Sequence, residues 1–224
     1  MAVDFWFPTP IYSAMIGPRR WTAALTREIQ RLHRGRHRAH GAMSARGFSS
    51  YHTENMLQQV RSLRPFYREV LRHAHAFARA LHADTQRFTI AVSSSWANVY
   101  PAGEYVRPHT HPNCQLSGVF YVAAEPGHGD IVFHNPLEYH KSSDIPRYTR
   151  PSPVSYESVP YAARTGRIIL FPNWLKHATL PNTGARERIV VSFNLRFIPS
   201  GREQSWGRSR PRSAARSRAR RRRA

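Results

Sequence analysis

The spacing of apolar residues changes character near residue 87. Before that point apolar positions recur at helical intervals. Trp21, Leu25, Ile29 and Leu32 form one stripe, which predicts a helix opened by Pro18. A second helical region starts near Glu54 and is divided by Pro65. Its later half carries Phe66, Val70, Leu71, Ala74, Phe77, Ala78 and Leu81 on one face. Ahead of both, Phe5 to Tyr12 reads as an edge strand, because Pro8 and Pro10 cannot serve a central ladder. Gly35 to Ser50 is polar, contains three glycines and reads as a loop.

After Arg87 the period is two. Strand patterns cover Phe88–Val92, Ser95–Tyr100, Gln115–Ala123, Asp130–His134, Arg167–Phe171 and Arg188–Phe197. Six short strands with Gly and Pro turns predict a barrel or jelly roll. The stretch from Asn135 to Ala163 interrupts them with five prolines and four tyrosines. A structureless segment of that length reads as a lid over the barrel mouth or as a disordered insertion. The expected class is therefore mainly β with flanking helices (α+β). One domain over 1–200 is expected, with helices at about 18–84 backing a barrel at about 87–198, and the lid-like insertion at about 135–163.

Composition adds limits. The 224 residues are 41% apolar and 12% aromatic, which suffices for a core. A single cysteine, Cys114, excludes an internal disulfide and fits a reducing cytosol. No run of 18 apolar residues exists, so no membrane span is expected, and Met1 to Gly17 lacks the basic leader of a secretory signal. The formal charge is +21, but residues 202–224 hold ten Arg and one Glu, +9 of it, leaving +12 for the rest. Basic residues other than Lys141 and Lys176 are all Arg. That skew fits either a GC-rich genome or nucleic-acid contact. The 201–224 tail is low in complexity and expected to be disordered, with weak non-specific phosphate contact as its plausible role. Trp206 is its one stacking residue, which argues against sequence readout.

The chemistry centres on His109-Thr-His111. On an extended backbone both imidazoles point to one face and can clamp one divalent metal. With 13 histidines, chance pairs are expected, and His73-Ala-His75 is a built-in control: on a helix those two diverge. His177, 66 residues after His111, offers a third ligand in another strand-turn segment. Arg188 follows His177 by 11 residues and shares a strand face with Val190, Ser192 and Asn194. Its guanidinium is either a buried fork for a carboxylate or a surface partner of Glu187 or Glu203. Asn98 and Tyr100 alternate on another strand and either reach a bound keto acid or merely line the barrel. Asp130 and Gln115 stand as alternative metal ligands. Cys114 has no base placed beside it by the sequence, and no Gly-rich phosphate loop or zinc cysteine pair occurs.

Several blocks in order carry a resemblance. They are Phe7-Pro-Thr-Pro-Ile-Tyr12, Ser95-Trp-Ala-Asn-Val-Tyr100, His109-Thr-His-Pro-Asn113, Leu116-Ser-Gly-Val-Phe-Tyr-Val122, Leu170-Phe-Pro-Asn-Trp-Leu-Lys-His177 and Glu187-Arg-Ile-Val-Val-Ser-Phe-Asn194. From about Phe5 to Phe197 the chain resembles an uncharacterised family of 2-oxoglutarate/Fe(II)-dependent oxygenases. The resemblance implies a double-stranded β-helix, Fe(II), 2-oxoglutarate and O2 as cosubstrates, and hydroxylation of an unstated substrate. It implies metal ligation by His109, His111 and His177, with Arg188, Tyr100, Asn98 and Ser192 at the cosubstrate. His111 stands where the wider superfamily has Asp. That departure makes the chain similar to cupins as well: Gly103 and His109-x-His111 match one cupin motif, with Gln115 in place of Glu. Gly166, Pro172 and His177 match the other, with Trp174 in place of Gly. A three-His cupin-type metalloenzyme without keto acid, and a metal-free barrel binding nucleic acid, are the alternatives.

Overall fold

The computed structural model describes residues 7–17, 19–34, 47–53, 55–137, 149–150 and 155–200. Two α-helices are present among them, α1 (Thr22–Arg34) and α2 (Arg64–Ala80), the second preceded by two short 3-10 turns at Leu57–Gln59 and Arg61–Leu63. Pro65 sits in the first turn of α2, where its missing N–H costs nothing, so it starts the helix. Pro18, the residues beyond 200 and most of the proposed lid (138–148, 151–154) lie outside the described residues.

Ten strands are described: β1 (Tyr12–Met15), β2 (Phe48–Ser49), β3 (Phe88–Tyr100), β4 (Val106–His109), β5 (Leu116–Ala123), β6 (Ile131–His134), β7 (Ser158–Tyr161), β8 (Arg167–Pro172), β9 (His177–Thr179) and β10 (Arg188–Pro199). They form a six-stranded sheet in the order β1-β8-β5-β10-β3-β2 and a four-stranded sheet in the order β4-β9-β6-β7. All neighbouring strands are antiparallel. The two sheets face one another as the jelly-roll barrel that the pattern predicts, in the double-stranded β-helix form that the resemblance implies.

Three differences from the sequence expectation have physical reasons. The segments 88–92 and 95–100 are one strand, because β3 pairs with β10 along its length and absorbs an irregularity opposite Asn194/Leu195. The first strand begins at Tyr12, where pairing with β8 starts, and Phe7 to Ile11 carries no strand. Residues 158–161, expected in the insertion, pair with β6 as an edge strand in which Pro160 is tolerated.

Period-two alternation gives the large sheet two cores. Val191, Phe193 and Leu195 of β10, Phe120 and Val122 of β5, and Ile168 and Leu170 of β8 turn towards the helices and pack with Leu25, Ile29, Phe66, Val70 and Phe77. The intervening positions, Val190, Val119, Tyr121, Ile169 and Phe171, join Val106, Ile131 and Phe133 of the small sheet inside the barrel. Strands β5 and β8 are buried on both faces, which is why they read as continuous apolar runs.

Gly118 sits where β5 crosses between β8 and β10, and a Cβ there would lie 2.4 Å from the Phe193 ring and 2.6 Å from Leu170. Gly118→Ala is expected to destabilise the fold by about 1–3 kcal/mol through overpacking, read as a lower urea midpoint with an unchanged slope.

Candidate active site

The register of β3, β10 and β5 decides which side chains enter the barrel. Arg188 is paired with Tyr100, Val190 with Asn98, Ser192 with Trp96 and Asn194 with Ser94. On the other side Val190, Ser192 and Asn194 face Tyr121, Val119 and Ser117. The small sheet closes the opposite wall by pairing His109 directly with His177. His111 lies one turn beyond β4, and that turn is tied to the β8–β9 loop from both sides. The His111 amide donates to the Asn173 carbonyl at 3.0 Å, and Asn173 Nδ2 donates back to the His111 carbonyl at 2.9 Å.

The three imidazoles converge. One ring nitrogen from each of His109, His111 and His177 lies within 4.8 Å of the others. His111 Nε2 and His177 Nε2 are 3.2 Å apart, the separation that two adjacent ligands about 2.1 Å from one ion take. His109 Nδ1 stands 2.9 Å from the Arg107 carbonyl, and His177 Nδ1 stands 2.9 Å from the Leu175 carbonyl. A carbonyl only accepts, so each Nδ1 carries the proton and each Nε2 is bare, as metal ligation requires. Burial lowers the pKa of all three; His111 falls to about 4, with His109 as the next cause and a side-chain hydrogen bond to Asn194 acting the other way. Asn194 is itself held, its Oδ1 accepting from Ser117 Oγ at 2.9 Å and its Nδ2 donating to Ser94 Oγ at 3.2 Å.

Arg188 lies in the same cavity, 1% exposed. Its Nη1 donates to the carbonyls of His128 (2.7 Å) and Gly129, and its Nη2 donates to Thr179 Oγ1 at 3.0 Å. The guanidinium carbon is 4.2 Å from the centre of the Tyr100 ring. All these partners are neutral. Hydrogen bonds to a charged group contribute about 1.5–3 kcal/mol each, against several kcal/mol for burying the ion, so these contacts take over much of the lost hydration. Gly129 is required for this seat: at φ +79°, a Cβ would meet the Leu180 carbonyl at 2.1 Å and Arg188 Nη1 at 2.8 Å. Burial pushes the Tyr100 hydroxyl up to about 12, keeping it a neutral donor.

The cavity holds about 370 Å³, within the range of small-molecule sites. All seven residues assigned from the sequence line it: His109, His111, His177, Arg188, Tyr100, Asn98 and Ser192. Asn98 Nδ2 donates to Ser192 Oγ at 3.1 Å, which fixes both on one wall. The two alternative ligands do not join the group. Asp130 Oδ1 accepts from the Ala163 amide at 3.0 Å, and Gln115 Oε1 accepts from the Phe197 amide at 3.1 Å, so both serve the backbone elsewhere. The control pair behaves as helix geometry dictates: His73 is buried against Tyr12 Oη at 2.7 Å, away from any metal-sized group among the described residues. Sequence reasoning passed over Thr179 and Trp96, although alternation from Asn98 and Tyr100 already puts Trp96 on the inner face.

Architecture and site together define a double-stranded β-helix with a three-histidine centre facing a buried arginine. Residues 94–194, which contain all seven of those side chains, match the family described as "Putative 2OG-Fe(II) oxygenase". Among solved structures, a Pseudomonas putida prolyl-4-hydroxylase shares 14% identity at a TM-score of 0.56, over 86% of this chain and 94% of that one. The epimerase SnoN, solved in complex with Fe3+, alpha ketoglutarate and nogalamycin RO, shares 13% identity at a TM-score of 0.57, over 92% of this chain and 88% of that one. The collagen prolyl hydroxylase of Paramecium Bursaria Chlorella virus-1 shares 12% identity at 0.51, over 83% and 94%. At these identities the likeness is one of fold. No curated protein matches the sequence.

Purified protein is expected to take up one Co(II) per chain, seen in the d–d absorption. His177→Ala should lower that affinity at least ~100-fold, whereas His75→Ala should leave it unchanged. Equal loss in both variants would mean that the three-histidine group is not the metal site.

Proposed function

We propose that the protein is a 2-oxoglutarate/Fe(II)-dependent oxygenase that hydroxylates an organic substrate. The observation that carries this reading is the shared cavity of three convergent imidazoles and one buried guanidinium whose hydrogen-bond partners are all neutral. His109, His111 and His177 would hold ferrous iron. Bound iron and 2-oxoglutarate would supply oxygen activation coupled to oxidative decarboxylation. Arg188 would take the far carboxylate of 2-oxoglutarate. A dianion entering this barrel loses its water, and without a fixed cation that loss is expensive. Tyr100 would keep the guanidinium over its ring and offer a neutral hydroxyl, while Asn98 and Ser192 present polar atoms along the adjoining wall. The Nδ1 hydrogen bonds of His109 and His177 hold those rings in the tautomer that leaves Nε2 free.

A second reading keeps the metal and drops the keto acid: a cupin-type three-histidine enzyme. It is favoured by the absence of any carboxylate from the ligand group among the described residues. Arg188 separates the two, because the oxygenase reading assigns it the far carboxylate of 2-oxoglutarate and the cupin-type reading assigns it no keto acid. A cytosolic setting suits a chain whose single cysteine is buried and free, and no described helix is long and apolar enough to cross a membrane. The tail reading, weak contact with nucleic-acid phosphates, concerns residues outside those described.

Anaerobic addition of Fe(II) and 2-oxoglutarate is expected to give a visible metal-to-ligand absorption band. Arg188→Ala should retain fold and metal while uncoupled 2-oxoglutarate turnover falls at least ~100-fold, as for one broken buried ion pair of about 3 kcal/mol. Iron uptake with no band, and no effect of Arg188→Ala, would select the cupin-type reading.

A further inference from the structure

Part of one wall of the cavity comes from outside the matched region. Tyr51 and His52 line it together with Trp96, yet the family match begins at residue 94. The turn after β2 that carries them is anchored in the core. Ser50 is fully buried, its amide donates to the Ala97 carbonyl at 3.0 Å, its Oγ accepts from the Ala97 amide at 3.1 Å, and the Thr53 amide closes the turn on the Ser50 carbonyl at 3.0 Å.

From this anchor an aromatic surface runs inwards. Tyr51 is 40% exposed, and its ring meets Trp96 edge-on, 4.8 Å between centres and 70° between planes. Trp96 is almost buried, and its ring lies 6.0 Å from His111 at 29°. The described lining contains no Asp, Glu or Lys, and its one permanent charge is the buried Arg188. Aromatic walls select flat rings by offset and edge-on packing, a geometry a saturated ring cannot match. A cationic ring would meet no counter-charge there and would share the cavity with the guanidinium.

We propose that Tyr51 and Trp96 form the substrate-selecting wall, and that the substrate presents an uncharged or anionic aromatic ring to it, delivered towards His111. What happens to that ring rests on the oxygenase reading; the ring preference does not.

The test is titration calorimetry on the full chain loaded with Co(II), with and without 2-oxoglutarate, using the uncharged pair benzamide and cyclohexanecarboxamide, and benzylammonium as the cationic ring. Benzamide is expected to bind at least about fivefold more tightly than either. Tyr51→Ala, on an exposed ring, should abolish the preference, and Tyr51→Phe should retain it. Equal affinities, no binding of any ring, or a preference that survives Tyr51→Ala would overturn the proposal. Failure of 2-oxoglutarate to bind would sink the oxygenase reading instead, and the titrations without it would still decide the wall.

Discussion

The ladder between β3 and β10 fixes everything else in this molecule. The two strands pair from Arg188/Tyr100 to Pro199/Phe88, and a side-chain period of two means that a slip of one residue would exchange their faces. In the observed register Val191, Phe193 and Leu195 meet the helices, while Arg188, Val190, Ser192 and Asn194 meet the cavity. The apolar set is thus the device that aims the polar set. No hydrogen bond made by Arg188 could hold a strand in register against the burial of three large side chains facing α1 and α2, each contributing about 1.5–3 kcal/mol. Stability and function are separated by face, and coupled through register.

The second constraint is long-range. His109 and His111 are neighbours in sequence, but His177 reaches them because β4 and β9 are partners in the small sheet. The Asn173–His111 backbone and side-chain bonds then hold the turn beyond β4, so the site depends on two loops that pin one another. Edge position explains why Pro108 and Pro160 are both accepted in strands of this sheet, β4 and β7 being its outermost members.

This accounts for what could and could not be read from the chain. The three histidines and Arg188 were legible because each sits on or beside a strand whose alternation shows its inward face. Strand β7 was not, because Pro160 and its flanking prolines imitate a loop; only pairing with β6 makes it a strand. The place of Asp130, an alternative ligand on the sequence, has a similar explanation. Its position before β6 is near the barrel, but its carboxylate is used by the Ala163 amide, a partner 33 residues away that no local pattern discloses. The seat of Arg188 was hidden for the same reason: it consists of main-chain carbonyls at 128 and 129, which leave no side-chain signature beyond the glycine that permits their approach.

Charge balance gives the three-histidine centre its chemical sense. Neutral imidazoles leave a bound divalent ion its full double charge, where a carboxylate ligand would halve it. Arg188 adds another positive charge, with Glu104 and Asp130 acting on it from outside the cavity lining. The described lining offers no carboxylate of its own. A cavity so built penalises cations and accommodates a dianion better than a neutral keto compound, because the attraction acts where water is excluded and the effective dielectric is low. Having His at position 111, where the superfamily pattern has Asp, would therefore do more than exchange one candidate ligand for another. A metal held by three imidazoles would leave its charge to be met by the molecules bound beside it rather than by its own ligands.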